Sequence, residues 1–246
     1  MKTAKYQPRF YRNWAGSKKL YRQKIVDKET DLEIFADKPL DKYFISERVS
    51  FYRGQIEDYI NYKDRRFLVS LKPIEVERTA AAIVREMAEA ARQAGVGPMA
   101  AVAGALAEFL GKDLLNKGYK EIIIENGGDI FLSGRQDRIL GVYCGPASSW
   151  KDLRLKIRPQ GSAIGICTSS GTIGHSLSFG KADSVVIIAK NAIIADAVAT
   201  AVCNRTQAKD KLEEAVLFAR SISSVSGGLI VLGNNLAGWG KIEFVR

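Results

Sequence analysis

An aspartate and a threonine one helical turn apart carry the clearest chemical signal in this sequence. Asp196 and Thr200 stand at i and i+4 in the run IIADAVATAV, so a helix sets both on one face. A carboxylate and a hydroxyl are hard oxygen donors suited to Mg²⁺, an ion that keeps waters and gains oxygens from a phosphorylated ligand. The same spacing also fits an Asp near a helix start and a Thr bonded back to its own chain. Upstream, Thr168, Ser169, Ser170 and Gly171 read as a hydroxyl-rich loop whose backbone N–H groups could cradle phosphate oxygens, or as a plain turn. His175, the single histidine, follows in the same glycine- and serine-rich stretch. It is the one side chain here with an ordinary pKa near neutrality, which suits a proton-transfer role or a ligand contact as well as a structural one. Earlier, the motif NGGDI places Gly127 and Gly128 where the backbone needs positive φ or a close approach, and Asp129 adds a carboxylate. Gly-Gly-Asp is an ordinary turn as well. His175 and Asp129 are therefore candidate catalytic groups. Gly127, Gly128, Thr168, Ser169, Ser170 and Gly171 are candidate cofactor contacts, and Asp196 and Thr200 candidate metal ligands.

The elements that must position these groups can be read from periodicity. Residues 21–26 and 32–36 alternate around DKET and predict a β-hairpin. Residues 40–62 predict a helix with Ile45, Val49, Tyr52, Ile56, Tyr59 and Ile60 on one face. Residues 65–71 read as a short extended piece. Pro73 reads as the opening of a second helix, with Glu75 and Glu77 in its first turn, Ile83, Val84, Met87, Ala88 and Ala91 buried, and Gly95 and Gly97 at its end. Residues 97–118 are rich in Ala and Gly and predict a closely packed helix; Gly104 in its middle implies a neighbour that leaves no room for a side chain. Strands follow at 121–125, 130–132, 139–144, 153–157, 162–167 and 184–189, then the helix with Asp196, a helix over 209–221, and strands at 228–233 and 241–245 around a glycine- and asparagine-rich turn. Adjacent strands without helical crossovers predict antiparallel pairing. The expected class is α+β, mostly antiparallel sheet packed with helices in a single compact domain.

Composition narrows the rest. The chain has 246 residues, 46% hydrophobic and 26% charged, ordinary values for a globular protein with a sizeable core. No apolar run approaches the ~18 residues of a membrane span, and the start lacks the apolar stretch of a secretory signal, so a cytoplasmic protein is expected. Cys144, Cys167 and Cys203 lack zinc-type spacing and lie in apolar contexts, which predicts buried free thiols. The net charge of +10 is concentrated at the amino terminus: residues 1–26 hold eight Lys or Arg and no acid. That segment, part of a basic hairpin extension over residues 1–36, is expected to meet an anionic ligand or a partner subunit. Nucleic acid is disfavoured because no recognised binding motif accompanies the charge.

Taken in order, these motifs resemble the ApbE-like family of FAD-dependent flavin transferases, over roughly residues 75–235. The family pattern runs from a small-residue helix to Gly-Gly-Asp after a strand, a Thr-Ser-Gly loop followed by His, and Ala-Asp-Ala-x-x-Thr-Ala on a helix. Here those are residues 97–110, Gly127–Gly128–Asp129, Thr168 to Gly171, His175, and Ala195–Asp196–Ala197 with Thr200–Ala201. The resemblance implies Mg²⁺ on Asp196 and Thr200, FAD or FMN held by the glycine and hydroxyl segments, and transfer of FMN to an acceptor protein, with the metal offsetting charge on the cleaved pyrophosphate. The sequence departs from the pattern in three places. Ala103–Gly104–Ala105 stands where the family has Lys-Gly-Tyr, SLSFGKAD follows the histidine in place of Ile-Ile-Asp-Pro-x-x-Gly, and TSSG has one residue more than Thr-Ser-Gly. The form resembles an uncharacterised ApbE-like subfamily of bacteria and archaea. Beside nucleotide binding and transfer, two readings stay open: another enzyme on this scaffold acting on an anionic small molecule, and a non-enzymatic binding protein.

Overall fold

A computed structural model describes residues 20–145, 148–150, 152–159, 161–171 and 179–245. His175 and most of the basic amino-terminal segment lie outside them. The hairpin forms from β1 (Tyr21–Asp27) and β2 (Thr30–Ala36). It is not an appendage, because β2 pairs onward with β3 (Ile122–Asn126). β3 turns into β4 (Asp129–Ser133), and β7 (Ile164–Ser169), β8 (Ser184–Ala189), β9 (Val225–Leu232) and β10 (Asn235–Gly240) complete an eight-stranded sheet in the order β1-β2-β3-β4-β7-β8-β9-β10. Every neighbouring pair is antiparallel. A second sheet of three strands, β5 (Arg138–Gly141), β6 (Arg154–Ile157) and β11 (Glu243–Val245), runs in the order β11-β6-β5.

The large sheet is the middle of three layers. On one face Ile34, Ile122, Ile124, Phe131, Cys167, Ile187 and Ile230 pack with the helices. On the other, Phe35, Ile123, Leu132, Ile166, Val186, Ile188 and Leu229 pack with Leu155 and Ile157 of the small sheet. Strands covered on both faces need apolar side chains at successive positions, which is why β3 and β8 read as continuous runs. The helices are α1 (Lys42–Tyr62), α2 (Arg66–Val69), α3 (Ala82–Ala94), α4 (Val102–Asn116), α5 (Ala192–Arg205) and α6 (Leu212–Ser221). The chain is a single compact α+β domain of mostly antiparallel sheet.

Helix α1 buries the six residues its periodicity selects, and the Asp41 side chain caps it by accepting from the Phe44 N–H. Four other segments differ from the sequence reading. Residues 65–71 are not extended: Arg66–Val69 make a helical turn around the fully buried Phe67. Pro73 does not open a helix; α3 starts at Ala82. Ile74 and Val76 are half-buried at a spacing of two, so they demand extended chain, and helical periodicity begins only at Ile83. The small-residue stretch is split into a 3₁₀ turn over Pro98–Ala101 and then α4. Residues 235–240 are a strand rather than a turn, and only Gly233 and Asn234 reverse the chain. Glycine weakens strands, yet here it makes room: a Cβ at Gly228 would lie 2.6 Å from the Trp239 ring.

Candidate functional site

The site is built where three sheet strands end beneath the first turns of two helices. β3 and β4 are joined by a two-residue turn, Gly127 and Gly128, with φ of 69° and 107°. Successive positive φ values are what a hairpin of this length requires, which accounts for both glycines. The Gly128 N–H donates to Glu125 Oε1 at 2.7 Å, and its carbonyl accepts from the Thr168 N–H at 3.2 Å. Asn126 Nδ2 donates to the Ala103 carbonyl at 3.2 Å, tying the turn to the start of α4. Asp129 then pairs across the sheet with Cys167, on the helix-covered face shared with Phe131.

Helix α5 enters above this point. Asn191 caps it, accepting from the Ile194 N–H at 2.9 Å. All of its residues from Ala192 to Cys203 are buried, so its polar members, Asp196 and Thr200, face protein and the site rather than bulk water. The Asp196 Oδ2 accepts the Gly104 N–H at 2.9 Å, which places its carboxylate at the positive end of α4. Gly104 is needed there, because a Cβ would sit 2.2 Å from the Ala192 carbonyl oxygen and 2.9 Å from Asp196 Cβ. Glu108, one turn further along α4, returns the contact: its Oε2 accepts the Ala192 N–H at 2.9 Å, at the first residue of α5. Each helix thus caps the other.

The electrostatics are those of acid groups crowded away from water. Burial pushes the Asp196 carboxyl up to about 7, while the N–H groups of Gly104 and Ala103 pull against it. Asp129 lies well above the ordinary carboxyl range, first through burial, then through the negative charge of Asp196 and of Glu125; Cys167 and the Thr168 N–H pull partway back. Among the described residues the Asp129 Oδ1 is buried without a hydrogen-bond partner. Burial also raises Glu108.

The structure therefore brings Gly127, Gly128, Asp129 and Asp196 together, with Thr200 one turn along α5. The TSSG segment is different from a loop. Thr168 and Ser169 belong to β7, paired with Val186 and Val185 of β8. Their alternation sends Thr168 to the face away from the helices and Ser169 to the face of Cys167, where its Oγ is buried without a partner. Only Ser170 and Gly171 follow the strand. The Gly171 N–H donates to the Ala182 carbonyl at 2.9 Å, and a Cβ there would lie 1.9 Å from the Gly180 oxygen, so this glycine answers a backbone crossing. His175 falls outside the described residues. The reading of single residues missed Glu108 and Asn126. A lone acid amid the apolar run ALAEFLG was the signal for the first; the second was simply the residue before the glycines.

A separate cavity of about 980 Å³ lies by the small sheet, lined in part by Trp150, Arg154, Leu236 and Phe244, and contains none of these groups. Among the described residues no group of three or more His, Cys, Asp or Glu converges as a metal cage. All three cysteines are buried, and none forms a disulfide among the described residues.

Residues 12–223 match the family model described as AbpE bacteria. Similar curated proteins are of the UPF0280 class. One from Methanocaldococcus jannaschii is 42% identical over 235 residues, covering 92% of this chain and 93% of its own. Another, from Methanococcus maripaludis strain C5, is 40% identical over 228 residues, covering 91% and 92%. Among solved structures, the flavin transferase ApbE from Vibrio cholerae aligns with a TM-score of 0.61 at 12% identity, over 90% of this chain and 96% of that one. The flavinyl transferase ApbE of Pseudomonas stutzeri, apo form, aligns at 0.59 and 13%, over 90% and 94%. At such identities the likeness is one of fold.

Proposed function

The chain belongs to the AbpE bacteria family, and on that footing we propose that it binds a flavin or adenine nucleotide with Mg²⁺, in the manner of a flavin transferase. One observation carries the reading: two buried carboxylates, Asp129 and Asp196, share a site, and one carboxylate oxygen has no partner among the described residues. Ordinary core packing does not call for that arrangement, since two neighbouring buried carboxylates, one with an unpartnered oxygen, are costly. A divalent cation resolves it. The residues fit Mg²⁺ in kind, because hard oxygens from Asp129, Asp196 and Thr200 leave room for waters and ligand phosphates, and this ion rarely uses a complete protein cage.

The chain's own part would be to hold and orient. The α4 N-terminus fixes one Asp196 oxygen through Gly104, and the carboxylate would offer its other oxygen to the ion. The Gly127–Gly128 turn presents partly exposed backbone beside β7, from which the Ser169 and Ser170 hydroxyls would contact a phosphate. Bound Mg²⁺ would stabilise charge on a cleaving pyrophosphate. Burial beneath α4 and α5 would keep bulk water from the carboxylates while leaving the ion its own bound waters. Transfer to an acceptor protein is the finer proposal, supported by what the solved structures of this fold are named for.

Isothermal titration with FAD, with and without Mg²⁺, tests it. Heat that requires Mg²⁺ and disappears in Asp196→Asn is the expected result. Absence of heat at high micromolar FAD with Mg²⁺ present refutes the flavin reading. A Mg²⁺ affinity unchanged in Asp196→Asn refutes the metal site.

A further inference from the structure

The link from α1 to α3 turns four large apolar side chains outward: Tyr62 is 80% exposed, Leu68 43%, Val69 66% and Leu71 59%. The backbone holds them there. Phe67 takes the single inward position, fully buried and packed edge-on to Tyr59 at 5.2 Å between ring centroids. Arg66 forks onto Asp64 through its backbone N–H and its guanidinium. The Ser70 N–H closes the turn on the Arg66 carbonyl at 2.8 Å. The Ser70 carbonyl in turn lies against Gly97, where a Cβ would be 1.7 Å away. The turn is thus a preformed projection with aliphatic side chains at its tip.

Its charge is one-sided. Between Tyr62 and Lys72 the cations Lys63, Arg65, Arg66 and Lys72 face the single acid Asp64, a net of +3. Lys63 also reaches Glu77 at 3.5 Å, and Arg66 is taken up by Asp64. Arg65 and Lys72 are exposed and have no carboxylate partner among the described residues.

Charge decides between the surfaces that could cover this turn. A second copy would set one cationic face against another. A nucleic acid would use the cations and leave Leu68, Val69 and Leu71 against phosphate and water. An anionic lipid interface uses both sets, with cations at the headgroups, aliphatic side chains at the acyl boundary and the tyrosine between. We propose that the turn over residues 62–72 is a docking face that holds the protein reversibly on an anionic membrane surface. No single helix among the described residues is long and apolar enough to cross a membrane, so the association is peripheral. Because the turn seats on Gly97, at the head of the stretch leading into α4, docking would bring the Asp196 end of the fold toward the lipid.

Co-sedimentation of the full chain with vesicles tests this, using phosphatidylcholine alone against phosphatidylcholine with phosphatidylglycerol. Binding is expected only to the anionic vesicles, falling as salt rises. Val69→Asp with Leu71→Asp, and separately Arg65→Glu with Lys72→Glu, should each weaken it about tenfold or more. All four positions are exposed, so the melting temperature should not move. Leu217→Asp, at an exposed leucine of α6, should leave binding unchanged. Absence of binding to anionic vesicles overturns the proposal. So does binding that survives both double substitutions, which would assign it to another basic segment, or binding lost equally in Leu217→Asp.

Discussion

Gly104→Ala and Gly54→Ala make one chemical change in two helices, and the structure gives them opposite signs. Replacing a helical glycine by alanine gains up to about 1 kcal/mol from backbone entropy, whole at mid-helix Gly54 and smaller at Gly104 in the first turn of α4. At Gly54 the new methyl meets nothing within 4 Å, so that gain should appear nearly whole. At Gly104 the methyl would lie 2.2 Å from the Ala192 oxygen. A carbon–oxygen contact settles near ~3.3 Å, so α4 and α5 must separate by roughly 1 Å. Overpacking of this kind costs about 1–3 kcal/mol. The separation also stretches the Gly104–Asp196 and Ala192–Glu108 hydrogen bonds, each 2.9 Å and each to a carboxylate. Their weakening adds about 1 kcal/mol or more. Set against the helix-propensity gain, the net is a loss of about 1–3 kcal/mol. Urea denaturation followed by circular dichroism reads both variants. The midpoint should fall for Gly104→Ala and rise slightly for Gly54→Ala. A Gly104→Ala protein as stable as the parent, or more so, would refute the argument that Gly104 exists to admit α5.

The same contact makes Glu108 a test of reciprocal capping: Glu108→Leu should cost about 1–3 kcal/mol by stranding the Ala192 N–H, whereas Glu108→Gln, which keeps an acceptor, should recover most of it in the same urea assay. Stability without Mg²⁺ should depend on the acid pair. Asp196 is raised from its ordinary 3.8 to about 7, so the folded state holds a proton that the unfolded state releases, and this contribution is whole below about pH 4 and lost as pH rises through 7. Asp196→Asn should flatten the difference in urea midpoint between those limits relative to the parent; an identical pH profile in the variant would contradict the shift. Binding of Mg²⁺ should expel up to about one proton near pH 6, read as a titration heat that depends on the buffer's ionisation enthalpy, and a buffer-independent heat would exclude a protonated pair.

How far the sequence carried the fold can be judged element by element. The face of α1 was legible to the residue because an amphipathic helix prints its period directly. β3 and β8 were legible because a strand covered on both faces leaves a short unbroken apolar run. Segments governed by tertiary contact were not. Arg66–Val69 becomes a helical turn because Phe67 finds a pocket against Tyr59, which no local pattern records. Asn235–Gly240 becomes a strand because β9 offers glycines to the Trp239 ring, overriding poor strand propensity. In the candidate site the same division holds. Gly127, Gly128 and Asp129 announced a turn with a carboxylate, and Gly104 announced a close approach. What approaches it, the first turn of a helix 88 residues further on, was invisible until Gly104 and Ala192 could be set side by side.

The departure at residues 103–105 bears on how the acid pair is balanced. Ala103–Gly104–Ala105 supplies no side-chain cation, and among the described residues neither Asp129 nor Asp196 has an ion pair to Lys or Arg. Among the described residues, positive potential reaches Asp196 through the backbone, from the N–H groups of Gly104 and Ala103 at the start of α4. That source is fixed in place and partial, worth about half a charge spread over the helix end. It favours Asp196 as the ionised member and leaves Asp129, with its unpartnered oxygen, to take a proton or share a divalent ion. On the proposed reading a bound Mg²⁺ would be the charge that neutralises both acids, and ligand binding is predicted to depend on it.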